Sequence, residues 1–232
     1  LAEYDALPEI GHACGHSLSG AASLLAFLTV DSLQNEQGFA MDLMGTPGEE
    51  ECGGKIDLLN NGGFEDYQFA AMVHLDNKNS AGFRTLASKD LYVTFLGKSA
   101  HASSEPEKGL NALNAARLFM DALDMWRQHI PPQSQIHGII VHGGEKPNIV
   151  PDKTEVEYYL RAKTVHVLNE LQSIVVQCAK AAAIATGTKE EVKQRYPTYA
   201  DLFIPDKTRE LLQSIYQELE IDPIASEGSQ GR

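Results

Sequence analysis

Gly11-His12-Ala13-Cys14-Gly15-His16 lies between a strand-length opening, Leu1 to Leu7, closed by Pro8, and an Ala- and Leu-rich run, Leu18 to Leu33, that reads as a buried helix. A strand, a loop of ligand-type side chains and a helix make the repeating unit of a parallel α/β sheet. Ligands in such sheets sit beyond the carboxyl ends of the strands, where this loop falls. On an extended backbone, side chains two apart share a face, so His12, Cys14 and His16 could converge on one point. Imidazole and thiolate together suit Zn²⁺ and similar ions. The plainer alternatives are a buried cysteine beside two hydrogen-bonded histidines, or a structural zinc site with a closed ligand tetrahedron.

Working outward, Phe39 to Met44 is apolar and strand-length, closes in the turn Gly45-Thr46-Pro47-Gly48 and runs into Glu49-Glu50-Glu51. Lys55 to Asn61 reads as a short helix, and Phe69 to Leu75 as another apolar strand with His74 near its end. Glu49, Glu50 and His74 thus fall at strand ends, as the first loop does. Alone, the acidic run reads as a solvated turn and His74 as a satisfied core histidine. Read together, neighbouring carboxylates can divide labour, one binding a metal and the other serving as general base.

From about Leu86 the pattern changes. Lys89 to Leu96 alternates as a half-exposed strand and Leu110 to Gln128 carries a helical period; strands over Ile136 to His142 and Thr154 to Thr164 follow. A helix over Val165 to Ala185 and a strand near Glu190 to Tyr196 complete β-α-β-β-α-β, the ferredoxin-like split motif. A helix over Thr208 to Leu219 returns to the first domain. The expected fold class is α/β: a mostly parallel-sheet domain, incomplete here, interrupted by a ferredoxin-like domain, with boundaries 1–86, 87–200 and 201–232. In the second domain, His101, Asn148 and Arg161 are candidates; the plainer readings are a loop histidine and a surface arginine. Cys178, in an Ala-rich helix, reads as a small core residue, and His129, His137, His142 and His166 as structural.

Composition narrows the function classes. The 232 residues carry a formal net charge of −13, without the clustered Lys and Arg that nucleic acid or an anionic membrane requires. No apolar run reaches the length of a membrane span, and three cysteines at unrelated spacings favour a reducing, cytoplasmic setting. Leu1 enters a strand directly, and Glu227 to Arg232 stops inside what reads as a loop, so both ends are expected to be cut.

Tyr4-Asp5-Ala6-Leu7-Pro8, Gly11 to His16, Pro47-Gly48-Glu49-Glu50, the His74 strand, Gly97 to His101 with Gly109-Leu110-Asn111-Ala112-Leu113, and Asn148-Ile149-Val150-Pro151-Asp152 occur in one order. In this the chain resembles the metallopeptidase and amidohydrolase family of aminoacylase and glutamate carboxypeptidase. Within that family it is most similar to the subgroup of hippurate hydrolase, the indole-acetyl-amino-acid hydrolases and aminobenzoyl-glutamate hydrolase. The resemblance implies a catalytic domain with an inserted lid that forms a homodimer. It also implies two divalent ions, Zn²⁺ or Mn²⁺ before Co²⁺, held by Cys14, His16, Glu50 and His74. Glu49 would be general base and then acid toward a metal-activated water, and His101 would stabilise the oxyanion. Asn148 and Arg161 would hold the substrate carboxylate, and Asp5 would orient the site from behind its ligands. The implied substrate is a small N-acyl amino acid or dipeptide, with no nucleic-acid or membrane partner. Two departures stand out: Ser17 replaces the subgroup's usual Asp or Asn, and Glu51-Cys52 interrupts a glycine run, leaving Glu50/Glu51 as the alternative register to the Glu49/Glu50 that Pro47 favours. A last histidine ligand is expected beyond Arg232. The competing reading is a non-catalytic relative whose metal site has decayed.

Overall fold

The structure is a computed structural model that describes residues 1–33, 38–222 and 229–230, without the side chains of Glu51, Ser229 and Gln230. The chain divides into two compact units: Leu1–Ser80, joined by the stretch from Tyr216, and Ala81–Ile215, joined by the short strand near the chain's end.

In the second unit, β2 (Ala87–Leu96) lies between β4 (Lys153–Ala162) and β5 (Lys189–Lys193), and β3 (Gln135–His142) pairs with the far edge of β4. All three pairings are antiparallel, and the order β3-β4-β2-β5 is that of the split β-α-β fold. One sheet face is buried, as the alternation Thr154, Val156, Tyr158, Leu160, Ala162 along β4 records. Two helices cover it. α4 (Ala112–Trp126) contributes Ala112, Ala115, Ala116, Phe119 and Leu123 at helical spacing, and α5 (Val165–Thr186) contributes Leu168, Leu171 and Val175. Both start on good caps: Asn111 Oδ1 accepts from the Leu113 and Asn114 amides, and Thr164 Oγ1 from Val167 N. Phe119 is fully buried, its ring 5.7 Å from that of Phe95 and 5.4 Å from that of Tyr158. Cys178 belongs to this core. A two-residue strand β1 (Arg84–Thr85) pairs in parallel with β6 (Ser229–Gln230); the rest of the predicted terminal loop, 227–232, lies outside the described residues. α6 (Asp206–Glu218) follows β5 in sequence.

The first unit contains α1 (His16–Asp31), α2 (Glu49–Cys52) and α3 (Gly54–Asn60). The strands predicted over 1–7, 39–44 and 69–75 do not form a ladder among the described residues. The parallel sheet is reduced to one Ala2–Gly45 bridge, in which Ala2 N donates to Met44 O and Thr46 N to Ala2 O, each at 2.9 Å. The Leu1 amino group adds a bond to Ala71 O at 2.7 Å, so three apolar stretches run side by side with few shared bonds. α1 approaches the first of them through small residues. A Cβ on Gly20 would stand 2.6 Å from Glu3 O, and Ser23 Oγ donates to Leu1 O at 2.6 Å. Among the described residues, no helix is long and apolar enough to cross a membrane.

Candidate metal centre

Backbone geometry, more than helix or strand content, assembles the site in the first unit. Leu7 and Gly11 exchange backbone hydrogen bonds, and Gly11 and Gly15 both hold positive φ, so 11–16 is a folded turn and not an extended strand. The convergence expected of His12 with Cys14 and His16 therefore does not occur. His12 is exposed, whereas His16, the first residue of α1, is 1% exposed. Gly15 packs so closely on Leu75 that a Cβ would meet its Cδ1 at 2.2 Å, and this contact brings the neighbouring His74 beside His16, with ring centroids 5.6 Å apart.

The acidic residues are placed by a second glycine turn. Gly48 and Gly53 flank α2 in left-handed conformations, and Gly54 N returns to Gly48 O at 3.0 Å. A Cβ at Gly54 would sit 1.9 Å from Pro47 O, so only glycine allows the return. Glu49 and Glu50 emerge from this turn beside His16. Glu49 Oε2 lies 3.7 Å from its Nε2 and Glu50 Oε1 3.8 Å from its Nδ1, while Glu50 N donates to Asp5 Oδ2 at 3.0 Å. The alternative pair Glu50/Glu51 involves a side chain outside the described residues.

His16 thus has four carboxylates within 4 Å: Asp5 Oδ1 at 3.1 Å and Glu3 Oε2 at 3.3 Å complete the set. Cys14 Sγ donates to Glu50 Oε2 at 3.5 Å, and Lys55 Nζ pairs with Glu3 Oε1. Two groups of ligand atoms lie within 4.8 Å of one another, Cys14-His16-Glu50 and Glu3-His16-His74. Both His16 ring nitrogens, Glu3 Oε2, Asp5 Oδ1 and Glu50 Oε1 are buried without a hydrogen-bond partner. Each such atom ordinarily costs about 1–3 kcal/mol, more when charged. Several carboxylates beside one ammonium also repel one another, and a divalent cation would relieve both costs. The residues therefore fit a metal. Burial pushes the Glu49 carboxyl above its usual range, with Glu3 and Glu50 adding to the rise against Lys55 and His16. Burial also acts to raise Asp5, but the Glu50 amide and the His16 ring outweigh it and hold that carboxyl low.

Glu3 is the site residue that sequence reasoning missed. Its signal was the spacing Glu3-x-Asp5, which puts two carboxylates on one side of an extended segment.

His101, Asn148 and Arg161 lie in the second unit. His101 is exposed and Asn148 is its neighbour, with Ala102 N donating to Asn148 O at 3.0 Å and His101 bridged to Ile149. Arg161 is half-buried on β4, paired with Ser88 and Gln135. Eight residues of extended strand, about 26 Å at 3.3 Å each, separate it from Lys153, the end of β4 that follows Asn148. His101 and Asn148 are thus neighbours, while Arg161 lies toward the other end of β4.

Residues 86–186 match the peptidase dimerisation domain, M20_dimer. Over 90% of its length the chain is 40% identical to the Xaa-Arg dipeptidase of Mus musculus, covering 49% of that protein. It is 32% identical over 91% of its length to a p-aminobenzoyl-glutamate hydrolase polypeptide of Escherichia coli (strain K12), covering 44% of it. The chain therefore spans about half the length of the curated relatives it matches. Its fold superposes on the aminobenzoyl-glutamate utilization protein from Klebsiella pneumoniae with a TM-score of 0.76 at 20% identity, over 99% of this chain and 59% of that one. Motif order, the split β-α-β unit and these likenesses converge in support of the M20 family of amidohydrolases and peptidases.

Proposed function

We propose that the protein is a metal-dependent hydrolase of the amide bond in a small N-acyl amino acid or dipeptide, working as a homodimer in the cytoplasm. The observation that carries this reading is His16: buried, with neither ring nitrogen hydrogen-bonded, among four carboxylates and next to Cys14 and His74. The names of the relatives, a dipeptidase and an aminobenzoyl-glutamate hydrolase, support the substrate class.

Cys14, His16, Glu50 and His74 would hold two divalent ions, of which Zn²⁺ and Mn²⁺ best suit mixed S, N and O donors. When bound, such ions supply Lewis acidity toward a carbonyl and make water more acidic. Glu49 takes the proton from the attacking water and returns it to the leaving amine. Its raised pKa brings it nearer to neutral, where one carboxyl can do both. Asp5, fixed by the Glu50 amide, faces His16 Nδ1 at 3.1 Å and leaves Nε2 for an ion. His101 supplies a donor to the oxyanion. Its Nδ1 accepts from the Ser103 and Ser104 amides, so the neutral ring carries its proton on Nε2. Asn148 and Arg161 bind the substrate carboxylate.

The test is elemental analysis of the intact protein together with hydrolysis of N-acyl amino acids and dipeptides, with and without chelator. Bound divalent metal and chelator-sensitive hydrolysis are expected. A protein with no metal and no chelator-sensitive activity would instead be the non-catalytic relative.

A further inference from the structure

We infer that Glu3 is itself a metal ligand, its Oε2 forming with His16 Nε2 and His74 Nε2 a carboxylate and two-imidazole set, and that Lys55 is the positioning residue that turns this oxygen toward the ion. The inference rests on the metal reading above and deepens it.

Glu3 is 2% exposed, and glutamate is almost never so deeply buried unless it is paired. Only one of its oxygens is answered. Oε1 pairs with Lys55 Nζ, whereas Oε2 is buried without a hydrogen bond although it lies 3.3 Å from His16 Nε2 and 3.7 Å from His74 Nε2. Proton placement explains why those nitrogens leave it unsatisfied. His74 Nδ1 is 2.8 Å from Leu75 O, a carbonyl that can only accept, so the ring proton belongs on Nδ1 and Nε2 offers a lone pair. His16 has a carboxylate on both sides, Asp5 Oδ1 at Nδ1 and Glu3 Oε2 at Nε2, and with an ion on Nε2 the ring keeps a single N–H, on Nδ1. With that proton toward Asp5, three acceptors face one another: Glu3 Oε2 and His16 Nε2, both buried, and His74 Nε2 on a partly exposed ring.

Mutually facing acceptors repel unless a cation lies among them, and two imidazoles with a carboxylate are a common donor set for a divalent ion. The three atoms lie within 4.8 Å of one another. This set shares only His16 with Cys14-His16-Glu50, so the centre has an oxygen-and-nitrogen side beside a thiolate side. Lys55 neutralises Glu3 through Oε1 and fixes which oxygen is presented.

The test is Co²⁺ binding to the metal-stripped intact protein, followed by equilibrium dialysis with elemental analysis and by the Co²⁺ absorption spectrum, for wild type, Glu3→Gln and Lys55→Met. Glu3→Gln should weaken one equivalent of Co²⁺ by roughly tenfold or more and change its spectrum while the circular dichroism is kept; Lys55→Met should weaken it less. A wild type that takes up no Co²⁺ overturns the metal reading and this inference together. A wild type that loads normally, with Glu3→Gln loading equally and giving the same spectrum, overturns this inference alone. If Glu3→Gln does not fold, anomalous diffraction from Co²⁺-loaded wild-type crystals decides. Glu3 Oε2 about 2.0–2.2 Å from an ion supports the assignment, and a Glu3 carboxylate bound to no ion refutes it.

Discussion

The unit beginning at Ala81 buries Leu91, Val93, Phe95, Phe119, Leu123, Leu160 and Leu168 in one continuous core, whereas the described residues of Leu1–Ser80 bury Ala2 together with Glu3, His16, Ser19 and Thr46. Leu18, Leu25 and Leu28 of α1 stay more than half exposed. One unit is held by apolar burial, which needs nothing but the chain itself. The other is organised around buried polar atoms without hydrogen-bond partners, a cost that a bound cation would relieve. Stability in the first unit should therefore be conditional on metal, and stability in the second should not.

The sharpest way to break the comparison is through the core. Phe119→Ala removes a fully buried ring that touches Phe95 and Tyr158, and should destabilise the second unit by about 3–5 kcal/mol in denaturant titration. Ion content should be unchanged. A variant that lost its metal instead would mean the two units do not depend on separate interactions. Chelation is the converse experiment. Removing an ion held at a hundred times its dissociation constant should cost the first unit about 2.7 kcal/mol and leave the second unit's amide-exchange protection as it was. Equal loss of protection in both units would contradict the contrast.

A smaller effect concerns the exception in the apolar unit. Lys89 is 7% exposed and donates to two neutral acceptors, Asn169 Oδ1 and Gln172 Oε1; burial lowers its pKa below the usual 10.5. Between the lowered pKa and 10.5 the unfolded chain binds more protons than the folded one, so this group makes stability rise with pH across that window. Its destabilising effect is fully present below the folded pKa. Lys89→Met should abolish that rise in a pH series of unfolding curves, and a wild-type curve no steeper than the variant's would contradict it.

The two units were also unequally legible in the sequence. Strands and helices of the second unit could be read to within a few residues, because alternation along β4 and helical spacing along α4 reflect burial on one face. In the first unit, apolar runs over 39–44 and 69–75 signalled strands, but a ladder needs partners along its length and among the described residues the expected sheet keeps only the Ala2–Gly45 bridge. The placement of Cys14, His16, Glu49, Glu50 and His74 near one another followed from motif order, while their geometry followed from glycines. Positive φ at Gly11 and Gly15 turned His12 away, and Gly15 admitted Leu75 and with it His74. Glu3 was legible only through its spacing from Asp5, because a glutamate in an apparent strand otherwise looks solvent-facing. In the fold its carboxylate is buried beside His16, His74 and Lys55.

The most direct test of the central assignment compares two adjacent carboxylates in the intact protein. Metal content and amide-hydrolysis turnover should be measured side by side for Glu49→Ala and Glu50→Ala. The account predicts that Glu49→Ala keeps its metal and loses turnover, while Glu50→Ala loses metal. The reverse pattern, or metal kept by both variants with turnover unchanged, would contradict it.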